Sequence, residues 1–143
     1  MNKAAYGIIG LILGIIAIIT GLYAISLHSL FMAIGYLFFT VIAGVIFTRF
    51  FCASCPIKDT CVHILPGYIA RIWKETPGPY TPGKLLISGF LFVIIFLPAL
   101  PALITSPMLL LIFLVCIVLA AVISVLFLCP GCGNRFCPFR KEG

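Results

Sequence analysis

Four long apolar runs, roughly residues 5–27, 30–51, 85–104 and 108–128, organise the chain, and its polar residues collect before, between and after them. Each run is close to the ~20 residues that cross ~30 Å of hydrocarbon as a helix. Within them Lys, Arg, Asp and Glu occur only near the ends. Backbone groups in lipid must be satisfied internally, and the runs are too long and too uniformly apolar for alternating barrel strands, so the pattern predicts helices. The expected fold class is all-α: an integral membrane four-helix bundle, forming a single membrane domain over residues 1–143.

The run that opens at residue 5 is read as a retained first helix, because it is long for a signal segment and lacks a small-residue cleavage site. Two short uncharged turns, around His28-Ser29 and Thr105-Ser106-Pro107, divide the runs into two tandem hairpins, about 5–51 and 85–128. Gly7, Gly10, Gly14, Ala17, Gly21 and Ala24 recur at spacings of three and four along the first helix, a seam fit for close approach by another helix. Pro98 and Pro101 should kink or end the third helix. After Pro66-Gly67, "YIARIWKE" puts Tyr68, Ile69, Ile72 and Trp73 on one helical stripe, predicting a short interfacial helix in the 64–84 linker.

Composition excludes a soluble domain, since 64% of residues are hydrophobic and only 8% charged. Charge then sets an orientation. Lys3, Arg49, Lys58, Arg71, Lys74, Lys84, Arg135, Arg140 and Lys141 all fall on the face shared by the two termini and the central linker, which the positive-inside rule makes cytoplasmic. The expected location is the plasma membrane, with both termini inside. The net charge of +6 follows from this topology and from contact with anionic lipid headgroups, and nucleic acid is not an expected partner. No charged residue or histidine lies in the middle of a span, so the chain offers no evident proton relay or ion path.

Six of the seven cysteines lie on that same face: Cys52, Cys55 and Cys61 in segment 52–63, and Cys129, Cys132 and Cys137 in the tail 129–143. "CASCPIKDTC" and "CPGCGNRFCP" each contain Cys-x2-Cys followed by a third cysteine, and each follows a helical pair. The halves therefore read as a tandem repeat with the same topology. A reducing compartment disfavours structural disulfides there, and two Cys-x2-Cys pairs can complete tetrahedral coordination. Cys55-Pro56 and Cys137-Pro138 are of the kind seen at the end of ferredoxin-type ligand series. Iron–sulfur, as a four-iron cluster, is the first reading, and zinc the alternative.

Ligand arithmetic leaves two arrangements open. One cluster would take Cys52, Cys55, Cys129 and Cys132, leaving Cys61 and Cys137. Otherwise two three-cysteine sites would each need another ligand, with His63 a candidate for one. His28 lies across the membrane from His63, which argues against a bis-histidine haem. Cys116, in a small-residue row with Ala120 and Ser124, reads as helix packing.

Four apolar helices with Cys52, Cys55-Pro56, Cys132 and Cys137-Pro138 placed after the second and fourth resemble the membrane module of the NapH and NosR type, ferredoxin-like proteins of anaerobic respiration. The resemblance implies electron transfer between quinol and redox partners. The spacings here, Cys-x2-Cys-Pro and Cys-x4-Cys-Pro, differ from that family's usual Cys-x3-Cys-Pro. These residues also carry no pair of four-cysteine ferredoxin motifs, which points to a small electron-transfer or anchoring subunit of a larger membrane redox complex. No independent catalytic activity is expected. The other classes are a zinc-clamped structural or assembly subunit and, third, a thiol oxidoreductase, whose reactive pair would face the reducing side.

Overall fold

The computed structural model describes residues 3–56, 61, 64–73, 76 and 78–128. All regular structure among them is helical: α1 (Lys3–Ser26), α2 (Leu30–Phe47), α3 (Ile64–Ala70), α4 (Pro82–Phe96), α5 (Leu100–Ile104) and α6 (Pro107–Ile123). A π-helical turn, Thr48–Cys52, extends α2, and a second, Ser124–Leu128, extends α6. With these extensions, four stretches are long and apolar enough to cross a bilayer: Ala4–Ser26, Leu30–Cys52, Pro82–Ile104 and Pro107–Leu128. By length and composition this is a multi-pass membrane protein, and its exposed Ile, Leu, Phe and Val side chains suit contact with lipid.

Local chemistry marks the boundaries. Ser29 has extended backbone, and its Oγ accepts the Met32 N–H at 3.4 Å, capping α2. Thr81 does the same for the Lys84 N–H ahead of Pro82, which sits where a missing N–H costs nothing. The third span breaks at its proline, as expected: α4 ends at Phe96, a 3-10 turn runs through Leu97–Ala99, and α5 follows. The interfacial helix is displaced from its expected position. It starts at Ile64, ahead of Pro66-Gly67, because proline is tolerated in a first helical turn, whose N–H groups have no intrahelical partner. It ends at Ala70, leaving Arg71 and Ile72 in turns, with Tyr68 and Ile72 exposed.

Five threonine and serine hydroxyls inside the spans are satisfied by their own helices, whereas the buried Tyr36 hydroxyl of α2 has no partner among the described residues. Thr20, Thr40 and Thr48 donate to the carbonyls of Ile16, Tyr36 and Val45 at 2.8 Å, and Ser88 and Ser124 to those of Lys84 and Ala120 at 2.7 and 2.8 Å. None of these five therefore presents an unmet donor to the lipid.

The core sits toward one end of the bundle. Ala17, Ala24 and Ile25 of α1 pack with Ala33 and Tyr36 of α2, Ala99 and Leu103 of the broken third span, and Phe113 and Cys116 of α6. Phe96 meets Phe113 edge to face at 5.8 Å. Cys116 thus lies among packed residues, as its small-residue row suggested. The glycine seam of α1 behaves differently along its length. A Cβ on Gly21 would stand 2.9 Å from the Ala99 Cβ, while one on Gly10 or Gly14 would meet nothing within 4 Å. Toward the start of α1 the seam instead lines an apolar cavity of about 300 Å³, together with Phe92, Phe96, Ile117, Ala120 and Pro66 of α3.

Beyond the core, the two short turns are joined by His28 Nε2 and Thr105 Oγ1, 3.1 Å apart. Thr105 spends its own proton on the Ala102 carbonyl at 2.7 Å, so its oxygen accepts and the His28 Nε2–H donates. His28→Ala should lower stability by about 0.5–1.5 kcal/mol, the usual net worth of one such bond. His28→Gln retains a donor and should lose less. Thermal unfolding of both variants in the same detergent checks this, and an Ala variant matching the wild type would show that the clasp contributes nothing.

Candidate metal centre

The opposite end of the bundle carries Cys52, Cys55 and Cys61. There Tyr6 near the start of α1 stacks on Phe127 of the second π turn, with centroids 4.6 Å apart, and α3 packs against both α1 and the first π turn. The π turns are placed alike. Each ends a long span, each opens on a hydroxyl residue that donates back into its helix, and each leads at once to a cysteine motif. Cys52 closes the first, and Cys129 directly follows the second in sequence. Insertions of this kind often mark functional positions, because they redirect the chain without ending the helix.

In the first turn the Ala53 N–H donates to the Thr48 carbonyl at 2.9 Å, and the Cys55 N–H then closes a tight turn onto the Cys52 carbonyl at 3.1 Å. Ala53 and Ser54, the two residues between the cysteines, are buried at 0% and 1% exposure. Cys52 and Cys55 are only half-buried. Small residues at 53 and 54 thus let the loop sink into the bundle, with Cys52 and Cys55 less completely covered on either side of them. Cys61 is also half-buried, and it and Cys55 lie within electrostatic reach of Cys52.

The polar chain returning toward α4 holds this loop down. The Gly78 N–H donates to the Ser54 carbonyl at 3.3 Å, and Lys84 Nζ donates to Ser54 Oγ at 2.6 Å. Tyr80 stacks on Phe51 at 4.8 Å, and Phe51 in turn stacks on Phe47 at 5.5 Å. Four residues of the loop and its approach, from Phe51 to Ser54, are therefore fixed by contacts or burial.

The structure brings Cys52, Cys55 and Cys61 into one neighbourhood. Among the described residues, however, no set of three His, Cys, Asp or Glu side chains is arranged to hold a metal ion. Cys129, Cys132, Cys137 and His63 lie outside the described residues. In donor chemistry the three thiols fit a soft, thiolate-bound centre. Sequence reasoning missed both π turns and the contact between Ser54 and Lys84. The second left no trace, since a lysine at the end of a span is already accounted for by the charge pattern along the chain.

No known protein family, no curated protein and no solved structure matches this chain.

Proposed function

We propose that this chain is a small subunit of a respiratory-type membrane redox complex, in which it holds an iron–sulfur centre and exchanges electrons with a membrane quinone. In this reading the spans form two tandem hairpins in the plasma membrane, with both termini and all six motif cysteines on the cytoplasmic side. The observation that carries it is the pair of π turns, each feeding a span directly into a Cys-x2-Cys motif.

The chain's own part is positional. The buried Ala53 and Ser54 anchor the loop that carries Cys52 and Cys55, and the 129–143 tail supplies the remaining thiolates in sequence. When bound, an iron–sulfur centre supplies one-electron chemistry, with no bond to a substrate made or broken. The reductant class is a quinol, which gives up two electrons and two protons over two such transfers. The apolar cavity that Pro66 helps to line offers space for part of a quinone's hydrocarbon chain.

Iron and acid-labile sulfide on anaerobically purified protein, with electron paramagnetic resonance spectra before and after reduction, test the reading. The expected result is iron with sulfide in near-equal amounts and a signal that changes on reduction. Stoichiometric zinc without sulfide would overturn it and make the cysteines a structural clamp. An intact cluster that can be neither reduced nor oxidised would remove the carrier role alone.

A further inference from the structure

We propose that a second cavity, at the His28 end of the bundle, is a binding site for a membrane lipid with an uncharged, hydroxyl-bearing head. The space is about 640 Å³ and is lined by two helical faces. Met32, Gly35, Tyr36 and Phe39 stand at i, i+3, i+4 and i+7 of α2, and Pro98, Pro101, Ala102 and Thr105 repeat that spacing on the third span. Gly35 keeps the first wall open, since a Cβ there would meet nothing within 4 Å. The second wall is the broken part of the third span, where the prolines have no N–H to give and the chain passes through the 3-10 turn into α5.

Polar groups gather at the turn end of this otherwise apolar space, where His28, Ser29 and Thr105 belong to the lining. Thr105 Oγ1 takes the His28 Nε2–H, so the neutral ring keeps Nδ1 as an acceptor. Ser29 Oγ accepts the Met32 N–H and has no acceptor for its own proton among the described residues. A hydroxyl head, which both donates and accepts, matches that pair. Tyr36 of the first wall is 5% exposed, and its hydroxyl has no partner among the described residues, so this part of the bundle holds a further donor that the fold leaves unmet. No Lys, Arg, Asp or Glu lines the cavity, and a phosphate or ammonium head would lose its hydration there without gaining a counter-charge. Phe31 and Met32, 83% and 64% exposed, leave the lining open to the outside of the bundle, where an apolar tail continues into lipid.

His28 and the cysteine loop lie at opposite ends of the Leu30–Cys52 span, about 35 Å apart along the helix. Binding at the His28 end involves neither the cysteines nor a metal, and is independent of the iron–sulfur reading.

The test uses the full chain in phosphatidylcholine discs. One probe is diacylglycerol with a diazirine on the acyl chain near the head, and the other is phosphatidic acid with the same chains. After irradiation, mass spectrometry locates the label. Diacylglycerol should label residues 25–39 and 98–105 about tenfold more than phosphatidic acid does, because only the charged head is penalised. Gly35→Leu should fill the space and abolish that labelling, whereas Gly44→Leu, on the same helix and with equal room for a Cβ but outside the lining, should keep it. His28→Ala removes the acceptor and leaves both walls, and should lower labelling about fivefold, the worth of one net hydrogen bond. Unlabelled decylubiquinol and farnesol then compete for the wild-type site. Whichever displaces the label at the lower concentration identifies a quinol or an isoprenoid alcohol as the guest, and displacement by neither identifies a diglyceride. Equal labelling by the two probes would mean ordinary bilayer contact only and would overturn the proposal, as would full labelling of Gly35→Leu. If that variant does not fold, the comparison of the two probes on the wild-type chain decides alone.

Discussion

Gly21→Leu should prevent the bundle from closing, whereas Gly10→Leu, about three turns earlier on the same helix, should leave it folded. At Gly21 even a methyl group would stand 2.9 Å from the Ala99 Cβ, 3.3 Å from Tyr36 Oη and 3.7 Å from Phe113 Cε2. The closest of these is an alanine Cβ, which has no rotamer to turn away and can yield only if the 3-10 turn Leu97–Ala99 moves with it. Gly21→Ala alone should cost about 1–3 kcal/mol, the usual range for overpacking, and Leu considerably more. Gly10 meets nothing within 4 Å and borders the cavity, so a larger side chain there has somewhere to go. Gly10→Ala should be neutral or stabilising by up to about 0.5–1 kcal/mol through helix propensity. Detergent-solubilised variants compared by thermal unfolding and monodispersity give the answer. Equal tolerance at the two positions would mean that the close approach at Gly21 does not hold the bundle together.

That contrast also marks how far the sequence could be read. Spacing alone identified the small-residue face of α1 but carried no information on where a neighbour closes on it. The partner at Gly21 is Ala99, 78 positions away in a turn created by Pro98, and the partner at Gly10 is a cavity. The four spans were legible to within three residues at each end, because length and apolar content are what a bilayer demands. The interfacial helix was misplaced because Pro66-Gly67 looked like a stop, while a first helical turn accommodates it. The π turns gave no warning, since one extra residue per turn leaves no mark in an apolar run. Spacing singled out Cys52, Cys55 and Cys61, and the latter two lie within electrostatic reach of the first, yet what steadies the loop, Ser54 with Lys84 and Phe51 with Tyr80, is tertiary.

Cys55→Ser and Cys132→Ser should each remove nearly all bound metal if the two cysteine segments build one centre. A four-thiolate site that loses one ligand keeps three, and serine, a hard and weakly acidic donor, is a poor substitute for a soft thiolate. Losing the metal from one segment would then strip it from the other as well. Two separate three-cysteine sites predict a different pattern, with each substitution removing about half. Cys116→Ser is the control. Cys116 is buried in α6 within the core cluster, and a serine there can donate to its own helix, as Thr20 and Thr40 do, so metal content should not change. Elemental analysis of the three variants, purified anaerobically beside the wild type, separates these cases. Full retention in both Cys55→Ser and Cys132→Ser would sink the shared centre. In that event the π turns at the ends of spans two and four would have to be explained by packing alone, through the Tyr6–Phe127 stack and the seat of α3 against Thr48–Cys52.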